Sequence, residues 1–325
     1  MAKTVKLLKC NNFFIYPKKP FNFQGTFFKP SHFPSKLVVY DNGNLIQGIR
    51  IDGDLFGLII SDASTKRTSR IRIRAYSLSG ISKEIESKIK DELMVRYNLD
   101  IDISDFGKRF KSDEILAESL KKWEGMRPST AYSLYGFLMV ATVLQNATVG
   151  RSIKMIDSLL QNYGVKLVFQ GKEVFEIWDP KDMEKITEEE LRNLRIGYRA
   201  KIIKKISHAF ASGEIDEKEL REIKDKEIVA HKLRSLYGVG PQSVSYILFE
   251  VFHFYDALNY LSPWERKIIS MLLFGKKTVS AERIIAFAKR RWGQWCMLAI
   301  HYLFEDLFWR SKREQIAWLE EEIRK

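Results

Sequence analysis

The chain has 325 residues, of which 45% are hydrophobic and 13% aromatic, so it can form two or three domains with buried cores, and extensive disorder is excluded. It carries 54 basic and 41 acidic residues, a formal net charge of +13. Basic surface gains affinity for nucleic acid through counterion release, so we expect a polyanionic partner, with an anionic membrane surface as the alternative.

The number of cysteines, the spacing of the histidines and the polarity of the least charged segments exclude several classes of protein. The two cysteines, Cys10 and Cys296, exclude a disulfide framework and a four-cysteine iron–sulfur cluster. The five histidines lack metal-site spacing, so we expect no catalytic transition metal. Residues 1–19 contain no continuous apolar region, which predicts no signal peptide and an intracellular protein. Residues 128–150 lack charge and could span a bilayer, but their polar side chains favour a buried core helix.

The N-terminal third is predicted to form antiparallel β structure. Its predicted elements are strands at Phe21–Gln24, Leu37–Tyr40, Leu45–Asp52, Leu55–Ser61 and Ser69–Tyr76, and a charged amphipathic helix at Ser82–Tyr97. The dipeptide Asn42-Gly43 is typical of a tight hairpin. Arg70, Arg72 and Arg74 alternate with isoleucines. A basic patch is one interpretation, and a strand with one buried and one solvated face is favoured.

From about residue 111 onward the periodicity is helical. The predicted helices are Asp113–Glu124, Ala131–Ala147, Ser152–Tyr163, Pro180–Ile186, Thr187–Leu194, Ala200–Ser212, Asp216–Ile223, Lys226–Leu236, Pro241–Phe252, Pro263–Phe274, Ala281–Arg290 and Gly293–Glu322. The last should be interrupted near Arg310. The predicted fold class is therefore α+β, with an N-terminal antiparallel sheet domain containing one helix at 1–110 and a mostly α-helical domain at 111–325.

The segment Leu236–Pro241 reads Leu-Tyr-Gly-Val-Gly-Pro and predicts the hairpin of a helix-hairpin-helix element. Glycines such as Gly238 and Gly240 can adopt positive φ and let another backbone approach closely. Pro241 suits the first position of the following helix. Because amides at a helix N-terminus bind anions, the expected ligand is a phosphate of nucleic acid. Taken alone, this sequence is equally compatible with an ordinary loop.

Four segments in a fixed order carry a family resemblance. They are Val143–Arg151, Gly197–Ala200, Leu236–Pro241 and Arg291–Trp295. Together they resemble the helix-hairpin-helix DNA glycosylase superfamily, in particular the branch of 8-oxoguanine glycosylase and the inducible alkyl-base glycosylases. That branch also has an N-terminal antiparallel sheet domain, so the resemblance covers nearly the whole chain. It implies base-excision repair, in which a monomer binds double-stranded DNA and flips a damaged base out of the duplex.

The resemblance also implies which residues contact DNA. Asn146 would fill the gap left by the flipped base, and Arg199 would approach the unpaired partner, because an amide and a guanidinium can replace lost hydrogen bonds. The alternatives are a helix-terminal polar group and a surface charge. Further expected contacts are Arg151, Lys201, Gly238, Val239, Gly240 and Gln242. A basic helix face that would follow phosphates, or simply be solvated, comprises Lys201, Lys204, Lys205 and His208.

Two catalytic positions depart from the family pattern. Gln242 stands where bifunctional members carry a nucleophilic lysine, which implies hydrolysis without strand scission. Ser262 stands where an aspartate stabilises the oxocarbenium-like sugar. Two interpretations stay open for Glu265: a capping box with Ser262 and Pro263, or the missing carboxylate itself. Asp256 is a third candidate carboxylate, in a connection where a turn residue is the favoured interpretation.

The sequence thus predicts an enzyme, a DNA N-glycosylase that hydrolyses the bond to a damaged purine base without strong lyase activity. The alternatives are a lesion-binding protein that lost the family aspartate and a general nucleic-acid-binding scaffold. Tyr260 and Trp264 are candidate walls of the base pocket, although aromatic residues at helical spacing usually pack in the core. The resemblance implies a monovalent cation between hairpin carbonyls and phosphate, and no other cofactor is expected.

Overall fold

The computed structural model describes residues 2–323, and their α+β architecture confirms the predicted fold class. The strands are β1 (Lys3–Lys6), β2 (Lys9–Ile15), β3 (Val38–Asp41), β4 (Asn44–Ile51), β5 (Asp54–Asp62), β6 (Ile71–Ser77), β7 (Val165–Phe169) and β8 (Lys172–Glu176). The helices are α1 (Phe23–Phe27), α2 (Lys83–Arg96), α3 (Ser104–Phe110), α4 (Ala117–Lys122), α5 (Leu134–Leu144), α6 (Val149–Tyr163), α7 (Pro180–Met183), α8 (Glu188–Leu191), α9 (Arg199–Ala211), α10 (Glu217–Glu222), α11 (Lys226–Ser235), α12 (Pro241–Glu250), α13 (Pro263–Phe274), α14 (Ala281–Trp292), α15 (Cys296–Ser311) and α16 (Ala317–Ile323).

The N-terminal sheet has the strand order β2-β6-β5-β4-β3, with neighbouring strands antiparallel. On β6, Ile71 and Ile73 are buried against α2, whereas Arg72 is exposed. The guanidinium groups of Arg70 and Arg72 lie 4.5 and 5.8 Å from the centre of the Phe14 ring on the outer face. The favoured interpretation of this strand, one buried and one solvated face, is therefore confirmed.

The prediction of a strand at Phe21–Gln24 is wrong, because this segment enters helix α1. The side chain of Asn22 caps the helix by accepting a hydrogen bond from the Gly25 amide at 2.8 Å. Phe23 and Phe27, one helical turn apart, stack with ring centres 4.7 Å apart. Of the two apolar residues that suggested an alternating strand, Phe23 thus lies on the buried face of a short capped helix, and Phe21 precedes its N-cap.

The expectation of helices alone beyond residue 111 is also wrong, since β7 and β8 form a hairpin there. Strand β1 pairs with β7 in parallel, with Val5 opposite Leu167. A sheet in the order β1-β7-β8 therefore joins the start of the chain to the helical half. Five-residue strands carry too little periodicity to be recognised, and the partner of β7 lies far away in sequence.

The helical half packs around three apolar clusters, and α5 lies in the largest of them. Eight of its eleven residues are buried, which confirms the core-helix interpretation of residues 128–150. Across residues 2–323, no helix is long and apolar enough to cross a membrane. The interruption predicted near Arg310 occurs between α15 and α16. The division of the chain at residue 110 stays a prediction, and its outermost residues, 1 and 324–325, lie outside the described part.

Glu92 connects the helix of the sheet domain to the helical half. Its carboxylate accepts hydrogen bonds from Nε of Arg96 at 2.7 Å and from Nη1 of Arg221, on α10, at 2.9 Å. Burial by itself raises the pKa of Glu92, but the two guanidinium groups more than offset this and lower the pKa to about 2. The ionised carboxylate is therefore part of the folded state.

Replacing Glu92 with glutamine should make stability less dependent on pH in the acid range. The pKa of Glu92 in the folded protein, about 2, lies below the usual 4.5. The contribution of the carboxylate to the free energy of unfolding is therefore complete above pH 4.5 and is lost as the pH falls toward 2. Over the acid range, the wild-type protein should lose on the order of 2 kcal/mol more stability than the glutamine variant. Urea unfolding of both proteins between about pH 6 and pH 3 would measure it. A free-energy difference that stays constant with pH would contradict the assignment.

Candidate functional site

The turn between α11 and α12 has the geometry of a tight hairpin. Gly238 lies at φ +81°, where a side chain is strained, and a Cβ there would come within 2.7 Å of Ile202 Cγ1. Positive φ is thus confirmed for Gly238. The prediction of positive φ is wrong for Gly240, which has φ −92° and ψ 174°. Gly240 is the N-cap of α12, a position that requires extended backbone. Pro241 occupies the first turn of α12, as predicted.

We expect Gly238→Ala to lower the free energy of unfolding by about 2 kcal/mol, because the new methyl group adds both backbone strain and a clash with Ile202. Gly240→Ala is the matched control: its φ is negative and no atom outside the immediate chain lies within 4 Å of the added Cβ. It should change stability by less than about 0.5 kcal/mol. Chemical denaturation would measure both, and equal losses would contradict the hairpin geometry.

Beside the hairpin lies an exposed polar and aromatic surface formed by the α5–α6 turn and the start of α9. Asn146 has φ +47° and its Nδ2 donates to the hydroxyl of Tyr198 at 3.3 Å. Gln145 Nε2 donates to the carbonyl of Gly238 at 2.8 Å, which fixes this turn against the hairpin. Tyr198 is 46% exposed. The structure therefore brings Asn146 and the hairpin together on one surface.

Two other residues extend this surface. Tyr237, within the hairpin, is 49% exposed, and the Lys201 ammonium lies 5.2 Å from the centre of its ring. Arg151 is exposed in the first turn of α6, which Thr148 caps. These groups could contact a phosphate backbone and stack on an unpaired base. Tyr198 and Tyr237 are additions to the predicted set, and both lie within segments that the sequence had marked.

Arg199 is not where the sequence placed it. Its side chain is buried, donating from Nε to the Thr142 carbonyl at 3.2 Å and from Nη2 to the Gln145 carbonyl. These acceptors are at the C-terminal end of α5, whose last carbonyls lack partners within the helix. The surface-charge alternative is therefore wrong, and the contact with an unpaired base stays a prediction. The adjacent Tyr198 is the exposed member of this pair.

The predicted basic face of α9 is only partly available. Lys204 Nζ donates to two main-chain carbonyls at the end of α7, at 2.9 and 3.0 Å. His208 Nδ1 lies 3.0 Å from the carboxylate of Glu184 in the same region. These two residues attach α7 to α9. Lys201 and Lys205 remain exposed and could follow a phosphate backbone.

The N-terminus of α13 is a capping box. Ser262 Oγ accepts from the Glu265 amide at 3.2 Å, and Glu265 Oε2 accepts from the Ser262 amide at 3.0 Å. The other oxygen of Glu265 accepts from the hydroxyl of Tyr246, on α12. Glu265 is 7% exposed, and burial raises the pKa of its carboxyl. The cap interpretation is confirmed, and the capping box also holds the Glu265 carboxylate at the N-cap amide.

The other candidates near the hairpin have clear positions. Gln242 is exposed in the first turn of α12, whereas the side chain of Val239 is buried in the core, which leaves only its backbone for a ligand. Asp256 forms an ion pair with Lys226, at the start of α11. Asp256 thus fits the structural interpretation, and neither Asp256 nor Gln242 lies in the capping box. Within residues 2–323, no group of three or more histidine, cysteine or acidic side chains could hold a metal ion.

The two candidate pocket aromatics are partly exposed. Trp264 is 37% and Tyr260 is 39% exposed. Trp264 packs edge-on against Phe304, with ring centres 5.8 Å apart, and its Nε1 donates to the Glu322 carbonyl on α16 at 3.3 Å. Trp264 therefore covers the junction of α13, α15 and α16. Tyr260 precedes the cap and presents its ring to solvent.

A set of ionisable residues, most of them buried, lies one helical turn beyond Tyr246, and no sequence motif indicates it. This interior polar cluster consists of Lys29, His32, Glu250, His301 and Glu305. Glu250 Oε1 lies 3.7 Å from His32 Nε2 and 3.9 Å from His301 Nδ1, and Glu250 Oε2 accepts from the Ser129 amide at 3.0 Å. Its members come from three distant parts of the chain, so only the fold brings them together.

Solved structures with the same fold include DNA glycosylases. A 3-methyladenine DNA-glycosylase from Archaeoglobus fulgidus matches with a TM-score of 0.74 at 19% identity, over 93% of this chain and 100% of that chain. An 8-oxoguanine glycosylase/lyase from Clostridium acetobutylicum matches in its apo form with a TM-score of 0.67 at 19% identity, over 92% and 99%. Its complex with double-stranded DNA containing cytosine opposite 8-oxoguanine matches with a TM-score of 0.66 at 20% identity, over 90% and 93%.

These similarities confirm the resemblance at the level of the fold, since it extends over more than nine tenths of the chain. No protein-family model and no curated protein matches the sequence. Fold similarity at this level of identity does not transfer a reaction or a substrate, which depend on individual residues. The function must therefore be argued from the site.

Proposed function

We propose that the protein is a DNA-binding N-glycosylase of base-excision repair that flips a damaged base from double-stranded DNA and hydrolyses its glycosidic bond. The hairpin at Gly238, with Asn146, Tyr198 and Tyr237 exposed beside it, supports the DNA-binding part. Amides at the start of α12 would bind a phosphate, while the polar and aromatic side chains would occupy the gap left by the flipped base. A monovalent cation at the hairpin and a monomeric state are part of the same proposal.

The observation that carries the catalytic part is the position of Glu265. Its Oε2 lies 3.0 Å from the N-cap amide of α13, so the carboxylate folds back to the end of the helix where the resemblance expects an aspartate. A carboxylate there would stabilise positive charge developing on the sugar. Because Gln242 has no nucleophilic amine, the proposed reaction is hydrolysis without strand scission.

A second candidate is a lesion-binding protein that flips or marks damaged DNA without turnover. One observation favours it: both carboxylate oxygens of Glu265 already accept hydrogen bonds, from Tyr246 and from the Ser262 amide. Burial also raises the pKa of Glu265 and so favours its neutral form. The two candidates make the same surface contacts with DNA and differ only in the chemistry at α13.

A cleavage screen distinguishes them. Duplexes that each carry one lesion, 8-oxoguanine, an alkylated purine, hypoxanthine or uracil, would be incubated with the protein and analysed with and without alkali. Breaks that need alkali would support a monofunctional glycosylase. Breaks without alkali would contradict the absence of lyase activity. Lesion-selective binding without breaks on any duplex would support the second candidate, and binding without lesion preference would contradict both.

A further inference from the structure

The interior polar cluster places four ionisable side chains away from solvent. Lys29 follows α1, Glu250 is in the last turn of α12, and His301 and Glu305 are one turn apart on α15; each is 6% exposed or less. Removing such groups from water is costly unless every polar atom is paired. Buried ionisable groups at the junction of several elements are therefore a feature of binding and catalytic sites.

Pairing within this region is incomplete. Among residues 2–323, three buried side-chain atoms here have no hydrogen-bond partner: Thr26 Oγ1, His301 Nε2 and Glu305 Oε2. Thr26 belongs to the region because its carbonyl accepts from Lys29 Nζ at 3.1 Å. Nearly all buried polar atoms in folded proteins are paired. Three unpaired atoms next to four buried ionisable groups indicate a site that a polar ligand completes.

The cluster connects the surface to the capping box. At one end, the side chain of His32 is 43% exposed, so the cluster reaches solvent there. At the other end, Tyr246 precedes Glu250 by one turn on the same face of α12 and donates to Glu265. A ligand held by the cluster would thus lie next to the carboxylate that we assign to the sugar.

The charges of the cluster define what it can bind. Burial alone raises the pKa of Glu250, but His32 and Lys29 lower it to about 2, so this carboxylate accepts hydrogen bonds. Burial lowers the pKa of His301 to about 3, which leaves a neutral ring with one donor and one acceptor. Burial lowers the pKa of Lys29, while the carboxylates of Glu250 and Glu305 oppose this shift and favour the ammonium form. Its Nζ donates to the Thr26 carbonyl and, at 2.6 Å, to Ser129 Oγ. An ammonium donor thus lies beside a carboxylate acceptor.

This arrangement complements one kind of nucleobase edge. A guanine-type edge presents a carbonyl oxygen beside a ring N–H and an exocyclic amine; lysine donates to such a carbonyl, and a carboxylate accepts from amino and N–H groups. An adenine-type edge would place an amine against the ammonium of Lys29. A base such as 1,N6-ethenoadenine offers the carboxylate no N–H donor at all.

We propose that the interior polar cluster is the recognition site for the flipped base and selects a guanine-type purine, with Lys29 donating to its carbonyl and Glu250 accepting from its N–H groups. The inference rests on base flipping in the proposed function, and it concerns binding alone, not bond cleavage. Glu305 and His301 complete the contacts with the atoms that now lack partners, and His32 lies at the entrance.

Binding to DNA that resists cleavage tests this inference separately from catalysis. The duplexes would carry 2′-fluorinated 8-oxoguanosine, 2′-fluorinated 1,N6-ethenoadenosine or no lesion, because the fluorine suppresses glycosidic cleavage. We expect the wild-type protein to bind the first at least about 10-fold more tightly than the second. Lys29→Met and Glu250→Gln should reduce this preference to less than about 3-fold, with the affinity of each variant for undamaged duplex as its reference.

Glu176→Gln is the matched control, since burial also raises the pKa of Glu176 but this residue lies on β8, outside the cluster. It should keep the preference. If a core variant fails to fold, two milder substitutions test the same recognition site. His32→Ala alters only its entrance, and Ser31→Ala removes only the hydroxyl that donates to Glu305. Both should weaken the preference at least about 3-fold.

The outcomes separate this inference from the proposed function. A guanine-type preference that the cluster variants abolish, without cleavage of any natural lesion, would support the site and contradict the glycosylase. Cleavage by the wild-type protein with no guanine-type preference, or with a preference that Lys29→Met and Glu250→Gln leave intact, would overturn the recognition site and keep the glycosylase. A wild-type protein that shows no lesion preference and cleaves none of the lesions would overturn both.

Discussion

Replacing Arg199 with methionine is expected to lower the free energy of unfolding by about 3 kcal/mol. The guanidinium is 2% exposed and donates to the carbonyls of Thr142, Ile196 and Gln145. Methionine retains much of the length but none of the donors, so the last carbonyls of α5 would be left unpaired in a buried position. Chemical denaturation monitored by circular dichroism would measure the loss.

Arg192→Met is the matched control for this prediction. Arg192 is exposed and pairs with Glu188 at 2.6 Å on the surface of the preceding turn, an interaction worth less than about 1 kcal/mol. The same substitution should therefore have a small effect there. Equal losses at the two positions would contradict the structural role of Arg199. A large loss of DNA affinity in Arg199→Met, without a loss of stability, would support the prediction of a direct contact with DNA.

Features that depend on a few consecutive residues could be predicted from the sequence. The hairpin at Gly238 and the cap at Ser262 are set by local backbone requirements, and the residue types at those positions suffice to recognise them. The Asn42-Gly43 turn is another example, because both residues adopt positive φ between β3 and β4. The α+β class followed from the change in periodicity along the chain.

Features that depend on tertiary contacts could not be predicted. Whether Arg199 faces solvent or the end of α5 is decided by how α9 packs, and its sequence neighbours are the same in both cases. The pairing of β1 with β7 joins segments about half a chain apart. The interior polar cluster needs α12 and α15 to bring Glu250 and Glu305 to the segment that carries Lys29, and no local motif signals that convergence.

The interior polar cluster and the capping box give α12 a central position. Tyr246 contacts the Glu265 carboxylate, and Glu250, one turn later, lies 3.9 Å from the buried His301. The hairpin at the start of the same helix lies on the surface. One rigid helix therefore links the expected phosphate contact, the carboxylate and the proposed base site. Such an arrangement suits a reaction that needs DNA backbone and base held at fixed separation.

Tyr246 should set the pH dependence of any turnover. Burial raises the pKa of Glu265, and the hydrogen bond from the Tyr246 hydroxyl partly offsets this by stabilising the ionised form. Tyr246→Phe removes the donor, so the pKa of Glu265 should rise further. If the ionised carboxylate is the active form, the acid limb of the turnover profile would shift to higher pH. A profile that does not shift would separate Glu265 from the chemistry.

Replacing Glu265 with glutamine should lower turnover by about 100-fold or more, while affinity for lesion-containing DNA changes by less than about 2-fold. Glutamine fits the same space and can still accept from the Ser262 amide, so the cap survives and only the negative charge is lost. Single-turnover cleavage of whichever lesion is processed would measure it. Ser262→Ala is the control: it weakens the cap by about 1 kcal/mol but keeps the carboxylate, so turnover should persist. Equal turnover in Glu265→Gln and wild type would exclude Glu265 as the carboxylate that stabilises the sugar.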